Sequence, residues 1–118
     1  MYKKNILRDK YFYLRKKKYY EIDKDFFFPL LSLIKSNFKK EDLKIGLYYP
    51  VGFEINVLKL LENQCMKNKN ILLPVIEANN RMNFFSWKKN QVLLVNKFGI
   101  LEPQKTKFKI PNLILLPI

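Results

Sequence analysis

Histidine is absent from this chain of 118 residues, cysteine occurs once and glycine three times. Each scarcity excludes something. Without imidazole there is no His-dependent general base and no His-ligated zinc. A lone thiol, Cys65, cannot form an internal disulfide, and it reads as a small buried or half-buried helical residue rather than a catalytic thiol. Three dispersed glycines cannot build a phosphate-cradling loop, and no cluster of metal-ligating residues stands out. No apolar run reaches the ~18 residues that a membrane-spanning helix needs. Lys3 and Lys4 are not followed by an apolar core with a small-residue cleavage site, so no secretory signal is read. A reducing, cytoplasmic setting without membrane attachment is expected.

Acidic residues are scarce as well, 10 against 23 Lys and Arg, for a formal net charge of +13. A charge of this size attracts polyanions such as nucleic acid, nucleotide phosphates or a polyglutamate tail. Lysine dominates over the arginine that bidentate phosphate grips favour, so a solvated basic surface accounts for most of the excess, and nucleic acid is not the expected partner. At 14.3 kDa with 48% apolar residues, the chain is long enough for one domain with a real core.

What is present reads as α/β. Residues 3 to 20 form a predicted helix, with Leu7, Tyr11 and Leu14 on one apolar stripe and Lys4, Arg8 and Arg15 on a neighbouring face. A second helix, capped by Asp23 or Asp25, carries Phe27, Leu30, Leu31, Ile34 and Phe38, with Pro29 tolerable only near its first turn. Leu43 to Tyr49 reads as a strand ending at Pro50 and Gly52, residues 54 to 67 as a helix with Ile55, Leu58 and Leu61 or Cys65 inward, and Asn70 to Val75 as a second strand. That is a βαβ unit with parallel strands. Met82 to Trp87 is a further strand candidate, Gln91 to Asn96 is a short apolar run before a Gly99–Pro103 turn, and Leu113 to Pro117 reads as an interior parallel strand. The expected fold is a three-layer, open, mostly parallel α/β sheet with two N-terminal helices. An interior strand ordinarily leads into a covering helix, so residues 1–118 are read as a single incomplete domain, truncated before the C-terminal part of the sheet.

The site-like feature is the end of the first strand, because ligands of open α/β sheets sit outside strand carboxyl ends. Tyr48, Tyr49, Pro50, Gly52, Phe53 and Glu54 occupy it, one carboxylate among aromatic faces. Such a slot suits a flat heterocycle with ring N–H donors. Glu54 reads equally as an acid in the first turn of the next helix.

Ile45-Gly46-Leu47-Tyr48-Tyr49-Pro50 followed by Glu54-Ile55, Lys4-x-x-Leu7-Arg8, Leu72-Leu73-Pro74, Met82 and Phe84 with Trp87, and Gly99-Ile100-Leu101-Glu102-Pro103 run in the order and spacing of one family. The chain resembles the N-terminal two-thirds of 5-formyltetrahydrofolate cyclo-ligases, also called 5,10-methenyltetrahydrofolate synthetases. The resemblance implies ATP-dependent cyclisation of 5-formyltetrahydrofolate to 5,10-methenyltetrahydrofolate with release of ADP and phosphate. The formyl oxygen takes the γ-phosphoryl group, N10 attacks the activated carbon, and phosphate leaves. It also implies that Lys4 and Arg8 reach ATP, that Tyr49 (or Tyr48) and Glu54 contact the folate, and that Mg²⁺ neutralises the phosphates. Val75 stands where many members carry a basic residue. The larger departure is the absence of the family's Phe-Asp, Arg-x-Gly and Gly-rich Tyr-Tyr-Asp segment, which wraps the phosphates and supplies the acid for Mg²⁺. This chain alone is therefore expected to have reduced activity or none, with a complementing C-terminal chain as partner and a folate, polyglutamylated or not, as substrate. The alternatives are a non-catalytic basic fragment that binds RNA or another polyanion, with aromatics interleaved with Lys over residues 11 to 20, and another enzyme of similar architecture, such as a sugar-phosphate isomerase or CoA-transferase relative.

Overall fold

The computed structural model describes residues 2–19, 21–38, 43–66 and 69–117, without the side chains of Tyr2, Lys24 and Cys65, so the expectation for the Cys65 thiol lies outside the described residues. Two α-helices, α1 (Tyr2–Lys18) and α2 (Phe28–Asn37), precede six strands: β1 (Lys44–Gly46), β2 (Asn70–Ile76), β3 (Met82–Ser86), β4 (Leu93–Val95), β5 (Leu101–Pro103) and β6 (Leu113–Ile114). None of the described helices is long and apolar enough to cross a membrane.

Four strands form a sheet in the order β3-β2-β1-β6, in which β1 is parallel to both β2 and β6, and β3 is antiparallel to β2. The fold is thus α/β with a mixed, mostly parallel sheet. Apolar side chains alternate by the period of two that a pleated strand imposes. Ile45 and Leu47 of the β1 segment, Ile71 and Leu73 of β2, and Trp87 just beyond β3 pack with Phe27, Leu31 and Ile34 in one buried cluster. On the opposite face, the Phe84 ring lies so close to Gly46 that a Cβ there would sit 2.9 Å from its Cε1. Gly46 is the residue that lets the ring approach the backbone.

The expected helix 2 begins as a 3-10 turn over Lys24–Phe27, with Asp23 as its cap (its Oδ1 accepts from Asp25 N–H at 3.0 Å), and Pro29 falls in the first turn of α2. The crossover from β1 to β2 differs from expectation. It is made of 3-10 helices over Val57–Glu62 and Gln64–Met66, not an α-helix from 54 to 67. Val57, Leu60, Asn63 and Met66 are its buried positions, a spacing of three that matches the 3-10 turn. Ile55, expected inward, is exposed.

Leu101-Glu102-Pro103 is likewise a strand rather than a turn, since β5 pairs antiparallel with β4 in a separate hairpin. Its 96–100 loop is closed by Asn96, whose Oδ1 accepts from Phe98 and Ile100 N–H, and Glu102 ties the hairpin to β2 by accepting from Ile76 N–H at 2.9 Å. The last strand is short and lies at the sheet edge, not in the interior, with Ile114 and Leu116 exposed. Helix α1 also differs. Its expected inward stripe is mostly solvent-facing, with Leu7 50% and Tyr11 57% exposed. Phe12, Arg15, Lys16 and Tyr19 make the contacts to the rest of the chain instead.

Candidate functional site

The strand order reverses at β1: the chain crosses from it to β2 on one side, while β6 docks on the other. Between the carboxyl ends of two such strands a crevice opens that no crossover covers. Here it is a cleft of about 480 Å³. Its walls are Phe26 and Phe27 from the 3-10 turn before α2, Leu30 of α2, Tyr48 and Phe53 after β1, and Ile114 to Pro117 at and beyond the end of β6, with Arg15 and Lys18 of α1 at the rim.

The loop leaving β1 shapes the cleft. Gly52 takes a positive φ of 59°, a left-handed conformation that costs a residue with a Cβ about 1–2 kcal/mol. The turn so formed brings Glu54 back over Val51: Glu54 N–H donates to Val51 O at 3.3 Å, and Glu54 Oε1 accepts from Val51 N–H at 2.9 Å. Glu54 Oε2 meets Arg15 Nη1 at 3.3 Å, with 12% and 31% of the two side chains exposed. Phe53 fits edge-on against Phe12 and Tyr19, ring centroids 5.6 and 5.7 Å away, with Lys16 Nζ 5.9 Å from its centroid. These contacts fasten the C-terminal half of α1 beside the cleft.

Tyr48 Oη donates to Ile55 O at 2.7 Å. Burial, and secondly the Glu54 carboxylate, push the phenol above its ordinary value, so it stays neutral and remains a donor. Arg15 Nε is buried in the rim without a hydrogen-bond partner. A guanidinium N–H left so is costly unless an acceptor reaches it. The cleft thus offers flat aromatic and aliphatic walls with a cationic donor at one corner, which suits a planar heterocycle bearing acceptors or negative charge.

The residues expected from sequence are brought together only in part. Tyr48 lines the cleft; Tyr49 is half-buried and outside its lining. Glu54 lies behind the wall, both oxygens engaged within the chain, and it precedes the 3-10 turn capped by Asn56 rather than sitting inside a helix. Lys4 and Arg8 are exposed on the helical face that Arg15 shares, about 16 and 10 Å further along the axis by helical rise. Arg15 is the site residue that sequence reasoning placed on that face without giving it a role. Spacings of four and seven among Lys4, Arg8 and Arg15 were the signal. Phe53 and Phe26 carried no comparable sign. Among the described residues no group of three His, Cys, Asp or Glu could hold a metal ion, so they do not fit a Mg²⁺ site by themselves.

A family model described as the 5-formyltetrahydrofolate cyclo-ligase family matches residues 30–117, and the chain belongs to that family. The fold agrees: the chain is similar to the NMR structure of Aquifex aeolicus 5,10-methenyltetrahydrofolate synthetase, at 26% identity and a TM-score of 0.60. That match covers 94% of this chain and 58% of the Aquifex protein. Among curated proteins none matches the chain.

Proposed function

We propose that the cleft beside β1 and β6 is the folate pocket of a cyclo-ligase that converts 5-formyltetrahydrofolate to 5,10-methenyltetrahydrofolate at the expense of ATP. One observation carries this reading: in a member of the cyclo-ligase family, an aromatic crevice with a buried, unpartnered Arg15 N–H opens at the carboxyl ends of two parallel strands. The pterin lies between the Phe53 and Phe26 walls, Arg15 offers its N–H to a pterin acceptor or the folate carboxylates, and Glu54 holds Arg15 in place. Tyr49 adds an aromatic edge from outside the cleft lining.

ATP supplies the phosphoryl group that turns the formyl oxygen into a leaving group. Lys4 and Arg8 take the phosphates, in this reading, because both are exposed cations on one helical face. The acid for Mg²⁺ is assigned to a further, C-terminal polypeptide. Among the described residues no group of three His, Cys, Asp or Glu could hold the ion, which supports placing that acid elsewhere, and the chain spans 58% of the Aquifex protein. Turnover by the chain alone is accordingly low or absent, its setting cytoplasmic, and a polyglutamylated folate is favoured by the basic surface.

Calorimetric titration with 5-formyltetrahydrofolate tests the pocket, and the absorbance of the methenyl product tests turnover with ATP and Mg²⁺. The expected result is saturable folate binding that Arg15→Ala weakens about tenfold, ~1.4 kcal/mol. Absence of saturable binding, with or without ATP, refutes the reading. A second reading, polyanion binding, draws on Tyr11 and Tyr13, which stand 57% and 61% exposed among lysines. It predicts affinity for single-stranded RNA that falls steeply with salt, with no response to folate.

A further inference from the structure

At the other end of the sheet lies a second cavity, of about 540 Å³. It opens beside the first residues of β2 and the last residue of β3, whereas the folate cleft lies past the carboxyl end of β1, to which β2 is parallel. Lys69, Lys88 and Lys109 line it together with Ser86, Thr106 and Trp87, and no carboxylate among the described residues does. Lys88 and Lys109 form no ion pair among the described residues. The backbone sets this arrangement. Lys109 is brought beside β3 by its N–H bond to Phe84 O at 2.9 Å. The turn after Trp87 is closed on itself, with Gln91 Oε1 accepting from Lys88 N–H at 2.9 Å and Gln91 O accepting from Trp87 Nε1–H at 3.1 Å. Ser86 Oγ lies buried at the cavity with no hydrogen-bond partner.

Two lysines without an ion pair at one concavity, Lys88 and Lys109, favour an anion that neutralises them, and a buried hydroxyl without a partner calls for an acceptor. We propose that this cavity binds a small polyanion with clustered anionic oxygens, either a phosphate chain or a run of carboxylates, held by Lys88 and Lys109 with Ser86 donating from the floor. Lysine suits this role as a mobile point charge that needs no fixed bidentate geometry. The site stands independently of the folate pocket.

Trp87 is the single tryptophan of the chain and part of the cavity wall, so its emission reports occupancy. The test titrates the full chain with sodium tripolyphosphate and, separately, with tri-γ-glutamate, at constant ionic strength. The expected result is a saturable change in Trp87 emission in at least one arm, and the stronger arm identifies the chemistry. The double variant Lys88→Gln/Lys109→Gln raises Kd at least tenfold and Ser86→Ala several-fold, both with unchanged far-UV circular dichroism. Arg15→Ala, at the opposite end of the sheet, leaves the titration unaltered. The inference is overturned by a non-saturating response in both arms, by wild-type affinity in the lysine variant, or by loss of binding in Arg15→Ala.

Discussion

Replacing Arg15 by methionine keeps most of its aliphatic length and removes the charge that meets Glu54 Oε2 at 3.3 Å. Two limits bracket the effect. Fully exposed pairs contribute about 0.2–1 kcal/mol, while removing one partner of a buried pair costs about 3–5 kcal/mol. With 31% and 12% of the side chains exposed, this pair lies between the two limits and is still open to solvent screening at Arg15, and a coupling of about 1 kcal/mol, the top of the exposed range, is expected. The Val51 N–H bond to Glu54 Oε1 survives the substitution, which keeps the loss from growing larger. Urea unfolding of wild type, Arg15→Met, Glu54→Gln and the double variant at low ionic strength measures the coupling directly, and added salt should shrink it. Folate binding should fall further in Arg15→Met than in Glu54→Gln, since only Arg15 lines the cleft. Stabilities that add to within about 0.3 kcal/mol would refute the argument that Glu54 positions Arg15.

Leu73 is fully buried in the core cluster, and Leu73→Ala should lose about 2–5 kcal/mol in urea unfolding, a large share of the total for a domain of this size. Gly46→Val places a Cβ 2.9 Å from the Phe84 ring and should cost about 1–3 kcal/mol, which Phe84→Leu should partly restore. Gly52→Ala should cost about 1 kcal/mol through its φ of 59°, and the new Cβ would also meet Phe12 Cε2 at 3.0 Å. Tyr48 has its proton held more tightly in the folded chain than in the unfolded one. Its contribution is therefore complete below the ordinary value of 10.0 and is lost as pH rises through the higher folded value. Tyr48→Phe should remove about 1 kcal/mol at neutral pH and flatten the alkaline side of the stability profile.

The parallel pair of β1 and β2 was legible because two short apolar runs, Leu43 to Tyr49 ended by Pro50 and Gly52 and Asn70 to Val75, have few other readings. Asp23 and Pro29 announced the start of α2 through local chemistry, which needs no tertiary knowledge. The crossover was misread because Ile55, Leu58 and Leu61 satisfy a helical stripe as well as Val57, Leu60 and Met66 satisfy a threefold one. Only packing decides between those periods. Helix α1 has aromatics on more than one face, so its period could not say that Phe12 and Tyr19 would dock while Tyr11 stayed in solvent. Pairing of Leu101–Pro103 with Leu93–Val95 and the edge position of β6 depend on neighbours that no local pattern encodes. At the site, the loop after β1 was found from strand polarity alone. That Glu54 would face Arg15 rather than the cleft follows from the Gly52 turn and the seating of α1, 39 residues away in sequence.

The folate pocket is tested most directly by mapping 5-formyltetrahydrofolate onto the isotopically labelled chain by NMR. The account predicts shifts concentrated at Arg15 Nε–H, Tyr48, Phe53 and residues 114–116, with little change at Trp87. Shifts centred on Trp87 and Lys88, or none above the dilution baseline, would contradict it.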